Sequence, residues 1–183
     1  MKKINIFIQC RTSSTRFPNK IFIKISNDYL IEILIKRVLK CKKINDVILL
    51  APKKDKKLIN SKKIKIPEIK FFYGSENNVF ERFFKASLKY KSKYIVRLTS
   101  DCPLVDPSMI ESMIDIISRK KLQYISNTSP PTFPDGLDIE IFDTSLLKYF
   151  SKKNLSSQEK EHVTLCIKKM KNIKKGNLFS TID

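Results

Sequence analysis

The feature that most constrains this chain is the alternation of short, continuously apolar runs with longer stretches of helical periodicity. Ile4 to Gln9, Val47 to Leu50, Ile69 to Tyr73 and Tyr94 to Leu98 show no in-out alternation, so each reads as a strand buried on both faces, as parallel sheets require. Tyr29 to Leu39 carries apolar residues at 30, 31, 33, 34, 35, 38 and 39, and Ser26-Asn27-Asp28 reads as its capping region. Helices are expected from Asn77 to Tyr90 and from Pro107 to Arg119, the second with proline in a first turn, where no N–H is needed. Lys53 to Lys65 is a Lys-rich connection with room for a short helix. Gln123 to Ser126 and Leu137 to Phe142 read as strands on either side of a Pro-rich loop, Thr128 to Gly136, and two helical segments follow near 144–151 and 157–171. The pattern predicts an α/β fold built on a mostly parallel sheet covered on both sides.

A chain of 183 residues with 42% hydrophobic content can bury one sizeable core but not two, so a single domain over 1–183 is expected. No apolar run reaches the length of a membrane span, and the first apolar run leads into a polar loop rather than a cleavage site. Cys10, Cys41, Cys102 and Cys166 stand singly, without a C-x-x-C pair or a His cluster, which argues against a zinc site or a disulfide framework. These features suit a cytoplasmic protein with no membrane partner.

In parallel sheets ligands gather at the carboxyl ends of the strands, which directs attention to the loops there. The first, Gln9-Cys10-Arg11-Thr12-Ser13-Ser14-Thr15-Arg16-Phe17-Pro18-Asn19-Lys20, sets three cations and four hydroxyls directly after a strand. A polyphosphate needs both charge neutralisation and many donors. Any one of these residues would be at home in an ordinary exposed loop, but the set is a specific string. It is neither a Walker loop nor a dinucleotide fingerprint, since no glycine lies in it. A second string, Arg97-Leu98-Thr99-Ser100-Asp101-Cys102-Pro103-Leu104-Val105-Asp106-Pro107, places the Asp101 carboxylate where it could ligate Mg²⁺; Asp106, just before Pro107, reads better as a helix cap. A third, Gly74-Ser75-Glu76-Asn77-Asn78-Val79-Phe80-Glu81-Arg82, reads on its own as a helix start. Finally, Pro134-Asp135-Gly136-Leu137-Asp138-Ile139-Glu140 groups carboxylates able to meet sugar hydroxyls, and Glu161-His162-Val163-Thr164 holds the sole His, a residue type that is more often structural at a helix start.

The net charge of +19 points at first to a polyanionic partner. Only six of the 37 cations are Arg, however, and the Lys are scattered among abundant Ile and Asn, a bias that coding composition alone can produce. A solvated basic surface is the preferred reading and nucleic acid the less favoured partner, because no aromatic platform is interleaved with the Lys. The Arg carry more information, since a planar fork suits phosphate, and Arg11, Arg16, Arg82 and Arg97 all fall inside the strings above.

In their order, QCRTSSTRFPNK, GSENNVFER, RLTSDCPLVDP, Ser126-Asn127, FPDGLDIE and EHVT resemble the motifs of the cytidylyltransferases of the spore coat polysaccharide type, relatives of the 3-deoxy-manno-octulosonate and acylneuraminate cytidylyltransferases. The resemblance spans the whole chain. It implies a Rossmann-like, three-layer α/β/α nucleotidyltransferase fold and transfer of CMP from CTP to a sugar, with pyrophosphate leaving. Arg11, Arg16, Lys20 and Asp101 would carry the chemistry, with Asp101 holding Mg²⁺. The nucleotide would meet Gln9, Cys10, Arg11, Ser14, Thr15, Arg16, Lys20, Ala51, Ser75, Glu76, Arg82, Thr99 and Ser100. The sugar would meet Asn127, Asp135, Asp138, Glu140 and His162.

The chain departs from the family pattern at Asn19 and Ser100, which stand where glycines are usual, at Asn78 in place of Asp and at Lys160 in place of Arg. The resemblance further implies a later strand, bearing a second metal carboxylate, and a helix after it. The expectation is that this chain lacks both; Phe179 to Asp183 is at most a remnant of the strand, and Asp183 is not assigned to the metal. The alternative to an enzyme is a homologue that binds nucleotide without turnover. A homodimer is an allowed assembly.

Overall fold

Packing on both faces accounts for the uninterrupted apolar strands. The computed structural model describes residues 3–13, 17–62, 64, 66 and 68–180. In chain order its elements are β1 (Ile4–Gln9), β2 (Lys24–Ile25), β3 (Asp28–Tyr29), α1 (Leu30–Val38), β4 (Asp46–Pro52), α2 (Lys56–Ser61), β5 (Ile69–Gly74), α3 (Val79–Lys89), β6 (Tyr94–Thr99), α4 (Pro107–Arg119), β7 (Tyr124–Ser126), β8 (Glu140–Asp143), α5 (Thr144–Phe150), α6 (Ser157–Glu161), α7 (Leu165–Lys169) and β9 (Lys175–Asn177). Seven strands form one sheet in the order β5-β4-β1-β6-β8-β7-β9. Only β8 runs against its neighbours. The α/β, Rossmann-like expectation holds.

Successive side chains of a strand point to opposite faces, and β1 shows the result. Ile4, Ile6 and Ile8 join the core under α1 and α4, while Phe7 joins the one under α3, α5 and α7. Neither core is complete without the sheet between them. The chain therefore forms three layers.

The sheet's order also selects a place for a ligand. From β1 the chain moves outward to β4 and then β5, and returns to lay β6 on the other side of β1. The crossovers change direction between β1 and β6, whose carboxyl ends pair in register at Gln9 and Thr99. A crevice opens at such a switch point because the two flanking connections leave in opposite directions.

Local departures from the sequence-based expectations have identifiable causes. Ser26 takes a left-handed conformation (φ 55°) at the tip of the β2–β3 hairpin, so Ser26 and Asn27 close a turn, Asp28 pairs with Ile25, and none of the three caps α1. The cap moves to Tyr29, whose amide donates to Glu32 Oε2 at 2.8 Å. The segment Leu137 to Ile139 is not a strand, because the Asn127 side chain takes the Leu137 carbonyl and the Ile139 amide, each at 2.8 Å. The expected helix over 157–171 is broken between α6 and α7, where His162 leaves helical geometry and Thr164 turns inward to Glu140. A short strand absent from the expectations, β9, pairs in parallel with β7. Asp183 lies outside the described residues.

Candidate active site

At the β1/β6 switch point lies a cleft of about 790 Å³, within the usual range for small-molecule sites. Its floor is the end of the sheet: Gln9 from β1, and Arg97 and Thr99 from β6. Arg11, Ser13 and Lys20 of the first loop form one side, Glu76, Asn77 and Val79 a second, and Ser157, Glu161 and His162 a third. Ser100 and Asp101 stand on the lip beyond β6.

Of the residues proposed from sequence, Gln9, Arg11, Lys20, Glu76, Arg82, Thr99, Ser100, Asp101 and His162 meet around this one cleft. Ser14, Thr15 and Arg16 lie outside the described residues. Cys10 and Ala51 are wholly buried in the core and do not line the cleft; burial pushes the Cys10 thiol up to about 12. Ser75 shapes the second wall: its hydroxyl accepts the Asn78 amide at 3.1 Å, and its carbonyl accepts Arg82 Nη1 at 3.0 Å. Gly74 is required there, since a Cβ would come within 2.9 Å of Arg82 Cγ. Asn78 and Asp106 are both helix caps, accepting the Glu81 amide at 2.9 Å and the Ser108 amide at 2.8 Å.

The proposed sugar contacts divide differently. Asn127 is buried and clamps the loop before β8, and Asp135 and Asp138 are exposed away from the cleft lining. Burial, then the neighbouring Asp135 and Glu140 charges, push the Asp138 carboxyl up. Glu140 does not reach the cleft at all. Only 3% exposed, it accepts hydrogen bonds from Tyr124 at 2.6 Å and Thr164 at 2.9 Å, and pairs with Lys168 at 2.9 Å and with Arg97. Burial works against the Glu140 charge, but Arg97 and Lys168 overcome it and hold the carboxyl down to about 2. Arg97 in turn donates to Gln9 Oε1 at 2.9 Å, which ties the cleft floor to this buried hub.

The acids of the cleft are paired with cations of the cleft or beside it. Asp101 meets Lys20 at 2.5 Å, Glu161 meets Arg11 at 3.5 Å, and Glu76 meets Lys54. Partial burial would raise the Asp101 carboxyl, yet hydrogen bonds from Lys20 and Thr99, with the Lys20 charge, hold it below the usual range. Arg82, 2% exposed, is lowered to about 10 by burial against the supporting charges of Asp55 and Glu76, and stays cationic at neutral pH. Among the described residues no cluster of three His, Cys, Asp or Glu could enclose a metal ion.

Asn19, where the family pattern has glycine, adopts the left-handed conformation that glycine would (φ 57°), which Asn tolerates better than most residues. Sequence reasoning did not single out Ser13, Asn77, Ser157 or Glu161. Arg97 did carry a signal, as a lone cation in an apolar strand.

Residues 5–180 match the model of the family described as "Cytidylyltransferase". The chain belongs to the cytidylyltransferase family. Spore coat polysaccharide biosynthesis protein SpsF of Bacillus subtilis is 32% identical over 174 residues, 92% of this chain and 71% of that protein. An uncharacterized protein of Methanocaldococcus jannaschii is 33% identical over 169 residues, 90% of this chain, and the match spans 66% of that relative's length. The structure of a cytidylyltransferase from Leptospira borgpetersenii serovar Hardjo-bovis superimposes with a TM-score of 0.89 at 29% identity, covering 99% of this chain and 77% of that one. Family membership thus extends over both halves of the sheet, including β8 and β9. No helix among the described residues is long and apolar enough to cross a membrane.

Proposed function

We propose that this chain transfers CMP from CTP to a sugar acid or sugar phosphate and releases pyrophosphate, making an activated sugar for surface polysaccharide or glycan synthesis. The observation that carries the reading is the meeting of Arg11, Lys20 and Asp101 around one cleft at the switch point of a cytidylyltransferase-family sheet. The name of the Bacillus relative supports polysaccharide synthesis as the setting.

The sugar oxygen attacks the α-phosphorus, the bond to the β-phosphate breaks, and pyrophosphate departs. Arg11 and Lys20 hold the triphosphate and take up the charge that develops on the leaving group. The base rests against the wall that begins at Gly74 and Glu76, and Asp101 is the carboxylate that would hold Mg²⁺. A hard cation there would supply Lewis-acid charge stabilisation to the triphosphate. Asp101 is ionised at neutral pH and half exposed, which fits that duty once Lys20 moves to phosphate.

A pyrophosphate-release assay with CTP, Mg²⁺ and a panel of sugar acids and sugar phosphates tests the proposal, preceded by thermal stabilisation against the four nucleoside triphosphates, since a ligand of the folded state raises apparent stability. CTP is expected to stabilise most, and at least one sugar to release pyrophosphate. Binding of CTP with no release from any acceptor would leave a nucleotide-binding homologue. Absence of binding by all four would sink the reading.

A further inference from the structure

Resting on the functional reading above, we propose that Asp55 is the positioning residue of the phosphate-binding loop, acting through the backbone amide of Thr12. Asp55 belongs to the turn between β4 and α2, far from the loop in sequence, and is 4% exposed in a stretch otherwise crowded with solvated Lys. Its Oδ2 accepts the Thr12 amide at 2.9 Å, and Thr12 is itself 8% exposed. A buried carboxylate on a main-chain N–H is a strong, directional contact that needs a structural return for its desolvation.

The placing of that contact supplies the return. Thr12 lies between Arg11 and Ser13, which both line the cleft, and its carbonyl accepts the Asn19 amide at 2.9 Å. Both ends of the loop therefore converge on one residue, and Asp55 holds that residue from below. Lys20 follows Asn19 directly, so the same anchor sets the position of a second cleft cation. The Asp55 charge also reaches buried Arg82, which lines the cleft and has no ion-pair partner among the described residues. Asp55 itself does not line the cleft, so its effect on nucleotide is transmitted through the backbone.

The test compares Asp55→Ala and Asp55→Asn with the unaltered chain by CTP calorimetry, by KM and kcat for CTP, and by amide hydrogen exchange at Thr12. Asp55→Ala is expected to weaken CTP binding and raise its KM by roughly tenfold or more, as small misplacements of binding groups do. Asp55→Asn keeps an acceptor oxygen and is expected to recover most of the loss. In the unaltered chain the Thr12 amide is expected to exchange as slowly as the adjoining β1 amides. Normal CTP affinity in folded Asp55→Ala, equal damage in both variants, or a Thr12 amide that exchanges like an open peptide would each overturn the anchor. The exchange measurement needs no variant, so it holds even where Asp55→Ala fails to fold. Should the unaltered chain neither bind CTP nor release pyrophosphate, the functional reading fails, and Thr12 protection still reports on the anchor separately.

Discussion

The two sides of Arg97 use the same residue types for opposite ends. On the side of β8 and α7, Glu140 is buried and answers two cations and two hydroxyls, all from within the protein. Across the floor, Lys20–Asp101 and Arg11–Glu161 are single pairs between partly or largely exposed groups. Both arrangements are ion pairs on the page of a sequence. Burial and partner count separate the one that holds the sheet together from the ones that can open for a ligand.

The largest expected effect tests the committed side. Glu140→Ala leaves Arg97 and Lys168 without their shared anion and strands the Tyr124 and Thr164 hydroxyls, which should cost about 3–5 kcal/mol in denaturant unfolding. A pH profile sharpens this. The folded carboxyl is held at about 2, below its ordinary value of 4.5, so its stabilisation is fully present above that ordinary value and is lost as pH falls towards 2. The amplitude over that window is on the order of 3 kcal/mol. A Glu140→Gln chain should show a correspondingly smaller loss on acidification; identical acid profiles, or a cost below about 1 kcal/mol for Glu140→Ala, would break the contrast.

Asp101→Ala should do the reverse. The pair it removes is half exposed, so unfolding stability should change by no more than about 1 kcal/mol, while pyrophosphate release falls on the order of 10³-fold. Parallel thermal melts and rate measurements check both halves. A variant that loses stability as Glu140→Ala does would place Asp101 among the structural groups.

This contrast also marks how far the sequence could be read. The parallel strands were legible because burial on both faces leaves an apolar run that nothing else explains, and the first loop because cations and hydroxyls follow β1 directly. Glu140 was not: in FPDGLDIE it sits beside exposed Asp135 and Asp138, and nothing in the string says that one carboxylate turns inward. Its partners, Arg97, Tyr124, Thr164 and Lys168, are brought together only by β6, β7 and α7. The β8 direction was hidden for a related reason, since an antiparallel insertion between parallel strands leaves each strand's own pattern unchanged. Asp55 escaped notice because its Lys neighbours made the segment look like plain solvated surface.

The smallest expected effect concerns the pair most exposed to water. Arg11 and Glu161 meet at 3.5 Å with side chains 60% and 51% accessible, so a double-mutant cycle on the free protein should return a coupling of about 0.2–1 kcal/mol. Glu161→Gln would then release Arg11 for phosphate, and CTP affinity should rise by no more than about fivefold, because a ligand recovers only what the competing pair was worth. The modest size is the point of the arrangement: a cleft cation held this loosely stays oriented without ligand and gives up its partner at little cost when phosphate arrives. A coupling of several kcal/mol, or weaker CTP binding in Glu161→Gln, would show that Glu161 belongs to the committed side of the molecule and that α6 is anchored by Arg11.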